Sequence, residues 1–389
     1  MSMKAKSLAL HSKLPGKIQT CSPITINTME DLSIAYSPYV SEVCLEIKND
    51  PYKVDIYTSK PHTIAVVSDG SAVLGLGNIG PLAALPVMEG KALLFKRFAN
   101  IDAVPICIDT QNPDEIIQFC KNIAPSFGGI NLEDIRSPEC VFIEDELKNT
   151  LNIPVFHDDQ HGTAVVVLAA LINACRLTKK PINTLKVSLS GTGAAGSAIA
   201  KILQKYGISN IYAYNAQGVV SSANISRFDS VTQSLINDGI IQDNPSSKGN
   251  DLASVISGTD VFIGVSVGNI VTTDMIKTMN NDPVIFALAN PTPEIMPEDA
   301  FNGGARIVAT GRSDYPNQVN NVLAFPGIFK GVLTVGARQI TDEMKLVSAK
   351  ALSSIVSDYE LTENYIIPSV FNERVVHEIS KAVQNEYKK

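Results

Sequence analysis

The chain has 389 residues, 45% hydrophobic and 18% charged, with a formal net charge of −7. That length exceeds what one hydrophobic core serves, so two domains are expected, and the apolar content excludes long disordered stretches. Lys and Arg are scattered rather than blocked, which argues against a nucleic-acid or membrane-surface partner.

Residues 1–17 contain only the short apolar run Leu8-Ala9-Leu10, too short for a secretory signal. Thr28-Met29-Glu30-Asp31 predicts a helix start, interrupted at Ser37-Pro38. Residues 63–67 predict a buried strand ending at the turn Ser68-Asp69-Gly70, and residues 104–108 a second. Between them, apolar residues at helical spacing predict a helix over 86–98 that carries Lys91. Gly128-Gly129 marks a turn, Ile130-Asn131-Leu132 a short strand ending at Glu133-Asp134, and residues 153–156 another ending near Asp158-Asp159. A long apolar helix is expected from Gly162 through Ala174. Strands are predicted over 185–190, 211–214, 261–265 and 284–288, a helix over 194–206, and an amphipathic helical tail over 337–389. This alternation predicts an α/β fold on a parallel, doubly wound sheet. Nowhere do about eighteen apolar residues run together, so no membrane span is expected. None of the six cysteines forms a CxxC pair and several have apolar neighbours, so reduced thiols and a cytoplasmic protein are expected.

The pattern Gly191-Thr192-Gly193-Ala194-Ala195-Gly196 follows a predicted strand and opens a predicted helix, the context in which GxGxxG signals a dinucleotide. Gly191 permits the tight turn, Gly193 the approach of a pyrophosphate, and Gly196 close packing of helix on strand. The helix N-terminus supplies N–H donors and positive potential to the phosphates. The second strand then ends at Asn215, where an acidic residue gripping the ribose 2′-hydroxyl is usual. A neutral amide does not repel a 2′-phosphate, so NADP is expected, with NAD the alternative; the nearest following Arg is Arg227.

Glu133-Asp134 and Asp158-Asp159 close neighbouring strands and suit a hard cation, Mg²⁺ or Mn²⁺. The residues alone leave other readings open: Asp158-Asp159 as a helix cap and Glu133-Asp134 as a solvated loop. Glu144-Asp145 is a rival pair but reads as helix-opening charge, because Glu146-Leu147-Lys148 continues a helical run. His157 and His161 have HExxH spacing, but Asp158 replaces the Glu and Gly162 falls where a zinc helix continues, so zinc is rejected. A divalent metal beside a nicotinamide suggests oxidation of a hydroxy acid with loss of CO2.

The string Phe156-His157-Asp158-Asp159-Gln160-His161-Gly162-Thr163-Ala164 closely resembles the signature of malic enzymes, which decarboxylate malate oxidatively. Further segments match in the family's order. These are Ala35-Tyr36-Ser37-Pro38, Val67-Ser68-Asp69-Gly70 through Leu74-Gly75-Leu76-Gly77-Asn78, Glu89-Gly90-Lys91, residues 129–134, residues 289–293, and Asn320-Asn321. The string Gly311-Arg312-Ser313-Asp314-Tyr315-Pro316 and the chain length resemble the small, prokaryote-type branch. The resemblance implies an N-terminal substrate and metal domain over 1–160 and a Rossmann-type NAD(P)-binding domain with C-terminal helices over 161–389. It implies that Glu133, Asp134 and Asp159 ligate Mg²⁺ or Mn²⁺. Lys91 takes the C2 hydroxyl proton with Asp158 orienting it, and Tyr36 protonates the enol. Asn290 and Asn321 hold malate, with Asn290 also near the cofactor. A homodimer or higher homo-oligomer is expected. Two departures stand out: Tyr39 follows Pro38 where a small residue is usual, and Ala72 stands where larger relatives carry a substrate-binding arginine. The competing functions are a malolactic-type reaction releasing lactate and a non-catalytic nucleotide-binding regulator.

Overall fold

The structure, a computed structural model, describes residues 2–14, 16–73, 75–245 and 249–389; Leu74, in the predicted Leu74 to Asn78 segment, lies outside them. Four helices come first: α1 (Met3–Lys13), α2 (Met29–Ala35), α3 (Val40–Asn49) and the short α4 (Val54–Tyr57), none with a buried residue. The helix start expected at Thr28 is a capping box, in which Thr28 and Asp31 satisfy each other's backbone N–H.

The first sheet has the order β2-β1-β3-β4 and is parallel throughout. Its strands are β1 (Thr63–Ser68), β2 (Asp102–Cys107), β3 (Gly129–Leu132) and β4 (Val155–His157). Val67 pairs with Leu132 and Leu132 with His157, so the register brings Glu133-Asp134 and Asp158-Asp159 to one edge. Carboxyl ends of parallel strands are where α/β sheets bind ligands. Helices α5 (Gly80–Leu94), α6 (Pro113–Ile123) and α7 (Glu139–Thr150) accompany these strands. The Lys91 helix begins at Gly80, earlier than residue 86, because Pro86 sits inside it rather than at its start. It runs on through a π-helical turn, Phe95–Ala99.

Helix α8 (Asp158–Thr178) leaves β4 directly and starts at Asp158, not Gly162. Gly162 is therefore a helical residue, and the two aspartates occupy the first turn, where negative charge is favoured. Among the described residues α8 alone has the length and apolarity of a membrane span, but 61% of its apolar window is buried inside the protein.

The second sheet has the order β10-β9-β8-β5-β6-β7. It comprises β5 (Lys186–Ser190), β6 (Asn210–Asn215), β7 (Gly218–Val220), β8 (Val261–Gly264), β9 (Val284–Ala287) and β10 (Ile307–Thr310). All pair in parallel except β7, an antiparallel edge strand formed by a tight return from β6. Strands β7 and β10 were not predicted, since three or four residues show no usable period. The helices are α9 (Ala194–Tyr206), α10 (Ser230–Asn237), and the short α11 (Leu252–Ile256), α12 (Thr273–Lys277) and α13 (Pro297–Asn302). Strand β5 lies between β6 and β8, so the chain order reverses beside the turn at Gly191, the switch point where dinucleotides bind. The tail is helical only in part: α14 (Phe325–Val335), α15 (Asp342–Ser354) and α16 (Arg374–Tyr387), with residues 355–373 non-helical between the last two. A single buried cluster joins Ile64 and Val66 of the first sheet, the length of α8, and Val187 and Ile263 of the second. The two sheets are thus held by one core, with α8 as the shared helix.

Candidate active site

A cleft of about 1310 Å³ separates the carboxyl edge of the first sheet from that of the second. Lys91, Glu133, Asp134 and Asp159 line one part of it; Ala194, Ala195, Asn290 and Asn321 also line it. Residues from six separate points of the sequence reading therefore share one space.

Lys91 is only 7% exposed. Its Nζ lies 2.6 Å from Asp158 Oδ2, 2.8 Å from Glu133 Oε1 and 4.5 Å from the centre of the Phe325 ring. Burial works to lower its pKa, but Asp158, Glu133 and Asp159 outweigh it and hold the ammonium well above the ordinary lysine range. Asp158 is fully buried; burial raises its carboxyl against the pull of Lys91. Its position depends on Gly162, since a Cβ there would stand 1.9 Å from Asp158 Oδ1. A side chain at position 162 would therefore displace Asp158.

Glu133, Asp134 and Asp159 each offer a carboxylate oxygen within 4.8 Å of the others. Glu133 Oε2 accepts from Asn131 Nδ2 at 2.8 Å, and Asp159 Oδ2 accepts from the Asp134 N–H at 2.9 Å. Asp134 has φ of 54°, a left-handed conformation that Asp tolerates better than most residues and that recurs at functional sites. Burial first, then Asp159, pushes its carboxyl up to about 8 despite Lys91. Burial and the neighbouring aspartates likewise raise Glu133 well above the usual range. Asp134 Oδ2 is buried with no hydrogen-bond partner among the described residues. An all-oxygen set of crowded carboxylates, only partly offset by Lys91, with an orphaned lone pair fits a hard divalent cation. The solvated-loop reading of Glu133-Asp134 is excluded by their exposures of 3% and 4%.

The glycine turn has the predicted form. Gly193 is the N-cap of α9, and Ala194 and Ala195 open the helix into the cleft. At Gly196 a Cβ would meet the Gly191 carbonyl oxygen at 1.9 Å, so helix and strand approach as the motif requires. Thr192 is buried behind the turn, its Oγ1 2.8 Å from Thr232 Oγ1. These features fit a dinucleotide pyrophosphate at the N-terminus of α9. Asn215 does not line the cleft, and its amide is committed: Nδ2 donates to Thr192 Oγ1 at 2.9 Å and Oδ1 accepts from the Gln217 N–H. It braces the turn, with one of its two amide N–H donors engaged.

Tyr36 is 69% exposed and does not line the cleft of its own chain. One expectation is corrected: Glu144 is not helix-opening charge but lies in the middle of α7 and is 1% exposed. Its Oε1 accepts from the His157 N–H at 2.9 Å and from Lys148 at 2.8 Å, and its Oε2 from His161 at 2.7 Å. Burial would raise the Glu144 carboxyl, but His161 and Lys148 hold it well below the usual range. Burial drives the His161 ring down to about 3, so it is neutral, with Nε2–H donating to Glu144. The His157 ring is buried, its Nε2 4.0 Å from Asp159 Oδ2.

Sequence reasoning missed Glu294 altogether. It is fully buried, with Oε1 accepting from the Ser266 N–H at 2.8 Å and Oε2 from the Ala289 N–H at 3.0 Å. One carboxylate thus ties together the loops after β8 and β9 that carry Ser266 and Asn290 to the cleft. The only signal was an acid inside an otherwise apolar, proline-rich stretch. Ala72 lines the cleft as an alanine; the basic residues lining it among those described are His11, Lys17 and Lys91.

Residues 15–113 match the family model described as malic enzyme, N-terminal domain, and residues 160–388 that described as malic enzyme, NAD binding domain. The chain is 50% identical to the bifunctional malic/malolactic enzyme of Bacillus subtilis (strain 168), over 98% of this chain and 92% of that protein. It is 54% identical to the NAD-dependent malic enzyme of Geobacillus stearothermophilus, over 95% and 76%. It is 43% identical to the NADP-dependent malic enzyme of Escherichia coli (strain K12), over 98% of this chain but 52% of that longer protein. The crystal structure of the NAD-dependent malic enzyme of Thermotoga maritima superposes with a TM-score of 0.92 at 49% identity, over 97% and 98% of the two chains.

Proposed function

This chain belongs to the malic enzyme family, and from that premise we propose that its cleft oxidises malate and decarboxylates it to pyruvate and CO2, with NAD or NADP as hydride acceptor. The observation that carries the reading is the buried Lys91–Asp158–Glu133 set, facing a cleft whose wall includes the opening turn of α9.

Glu133, Asp134 and Asp159 are the residues we assign to a divalent cation, and the Gly191 to Gly196 turn to the NAD(P) pyrophosphate. When bound, the cation supplies Lewis-acid polarisation of the substrate oxygens and the nicotinamide supplies the hydride acceptor. Lys91 is placed to take the proton of the C2 hydroxyl, and Asp158 holds its ammonium in position. The same carboxylates that position Lys91 also keep it protonated, so neutralising them is the condition under which it serves as a base. Asn290 and Asn321 offer neutral amide donors to the substrate carboxylates from the cleft wall. We divide the chain functionally at 160/161, within the first turns of α8, so that the cation ligands belong to the first part.

Tyr36 is assigned the protonation of the enol at C3. Its exposure, with α1 to α4 burying no residue of their own, supports a homodimer in which this segment packs on a second copy and delivers Tyr36 to that copy's cleft. Exposed Leu32, Ile34, Tyr39 and Leu45 supply the apolar surface for such a contact. A cytoplasmic setting accords with six free cysteines.

Chelator-treated protein is expected to lose malate-dependent turnover and to regain it with Mn²⁺ or Mg²⁺. Asp159→Ala is expected to abolish that recovery while leaving nucleotide binding intact, as calorimetry reads it. Full activity in excess chelator contradicts the assignment. The bifunctional relative favours one second reading, in which part of the flux leaves as lactate with the cofactor re-oxidised in place.

A further inference from the structure

A second cavity, of about 220 Å³, lies at the seam where α7 and α8 meet α9 and α15. Lys148 of α7, Lys201 and Lys205 of α9, and Lys345 of α15 all line it, so four lysines from three helices border one space. Only two acids, Asp145 and Asp342, stand in the lining among the described residues.

The existing ion pairs engage three of these four lysines. Asp342 is shared, 2.6 Å from Lys345 and 3.1 Å from Lys205. Glu144 and Glu343 reach Lys148 and Lys205 from outside the lining, at 2.8 and 2.9 Å. Lys201 pairs with no carboxylate among the described residues. Lys345 is 7% exposed, and burial together with the charge of Lys148 lowers its pKa in spite of Asp342. A closed seam of ion pairs would leave neither such a cavity nor an unpaired lysine on its wall.

Ammonium groups are compact point charges that approach from separate directions, unlike the flat fork of arginine, and so suit a tetrahedral oxyanion rather than a planar carboxylate. The remaining walls are Ala164, Ala198 and Ile202, with no Phe, Tyr or Trp on which a base would stack. We propose that this cavity is a binding site for a small anion of the phosphate class, separate from the malate cleft, which bridges α7 to α9 and α15. Its floor is His161, whose Nδ1 lies 3.4 Å from Lys345 and whose Nε2 contacts Glu144, which in turn holds the His157 N–H beside Asp158. Occupancy is therefore two hydrogen bonds away from the Lys91 partner.

The test is calorimetry of the full chain with inorganic phosphate and, in a second arm, with glycerol phosphate, both at saturating NAD and Mg²⁺ without malate, so that the dinucleotide site is filled and no turnover contributes heat. The Lys201→Gln, Lys205→Gln double variant alters two groups outside the catalytic machinery. It is expected to bind at least ~10-fold more weakly, with its malate KM unchanged. Lys345→Met is a second variant, expected to abolish binding. Binding of phosphate in the first arm identifies the free ion as ligand, and binding of the ester alone a phosphorylated metabolite; either supports the site. Absence of binding in both arms, equal affinity in the double variant, or equal competition by succinate overturns it.

Discussion

Glu144 shows at the scale of one residue where burial decides function. Glu144, Asp145 and Glu146 stand consecutively in a helical run, and nothing local separates a solvated carboxylate from a buried one. The separation comes from β4 and α8, which bring His157 and His161 onto Glu144 from thirteen and seventeen residues away. Removing one partner of a buried, hydrogen-bonded charge network costs about 3–5 kcal/mol. Glu144→Ala is therefore expected to lower stability by that order and to weaken Mn²⁺ binding, because the N–H it holds lies two residues before Asp159, a residue assigned to the cation. Glu144→Gln, which keeps an acceptor for that N–H, is expected to restore metal affinity in part. Denaturant melts and metal titrations check both; a Glu144→Ala protein with wild-type stability and metal affinity contradicts the account. Lys91, Asp158 and Glu133 were legible for the opposite reason. Their recognition rested on the order of motifs along the chain, which no single residue carries.

At the scale of elements, the strand–helix alternation exposed most of both sheets because apolar runs and helical periods occupy separate windows. It failed at α8, where Gly162 suggested a start and proved to be a packing requirement set by Asp158, and at β7 and β10, which are too short for periodicity. Asp260 is a comparable tertiary feature, joining the start of β5 to the segment before β8. Its carboxylate accepts from the Lys186 N–H at 3.0 Å, Lys180 at 3.0 Å and Asn280 at 3.1 Å. Burial would raise its pKa, but these donors outweigh burial and hold it below the ordinary 3.8. A folded pKa below the unfolded value means that the ionised form stabilises. That contribution is complete above pH 3.8 and is lost as pH falls through the folded value. Asp260→Asn is expected to cost about 1–3 kcal/mol at neutral pH. The gap between variant and wild type should close below the ordinary carboxylate range, as thermal melts across pH measure. A gap independent of pH contradicts the assignment.

For the whole molecule, the domain order and the pairing of a cation site with a dinucleotide turn were visible in the sequence, whereas the source of the acid was not. Tyr36 lies on an exposed segment, and only the folded chain reveals that its own cleft lacks it. If Tyr36 acts across a dimer, Tyr36→Phe and Lys91→Ala proteins are each inactive alone but complement one another. A mixed dimer then holds one intact cleft, and random equal mixing restores about a quarter of wild-type activity. A mixture that stays inactive although its subunits exchange places Tyr36 in its own chain or outside the reaction.

The central claim is that one cleft couples hydride transfer to loss of CO2. The most direct measurement supplies malate and Mn²⁺ with NAD or NADP, follows reduced-nicotinamide absorbance, and assays pyruvate and lactate in the same sample. The account predicts reduced cofactor and pyruvate in equal amounts. Lactate without accumulated reduced cofactor, or cofactor binding with no turnover of malate, contradicts it.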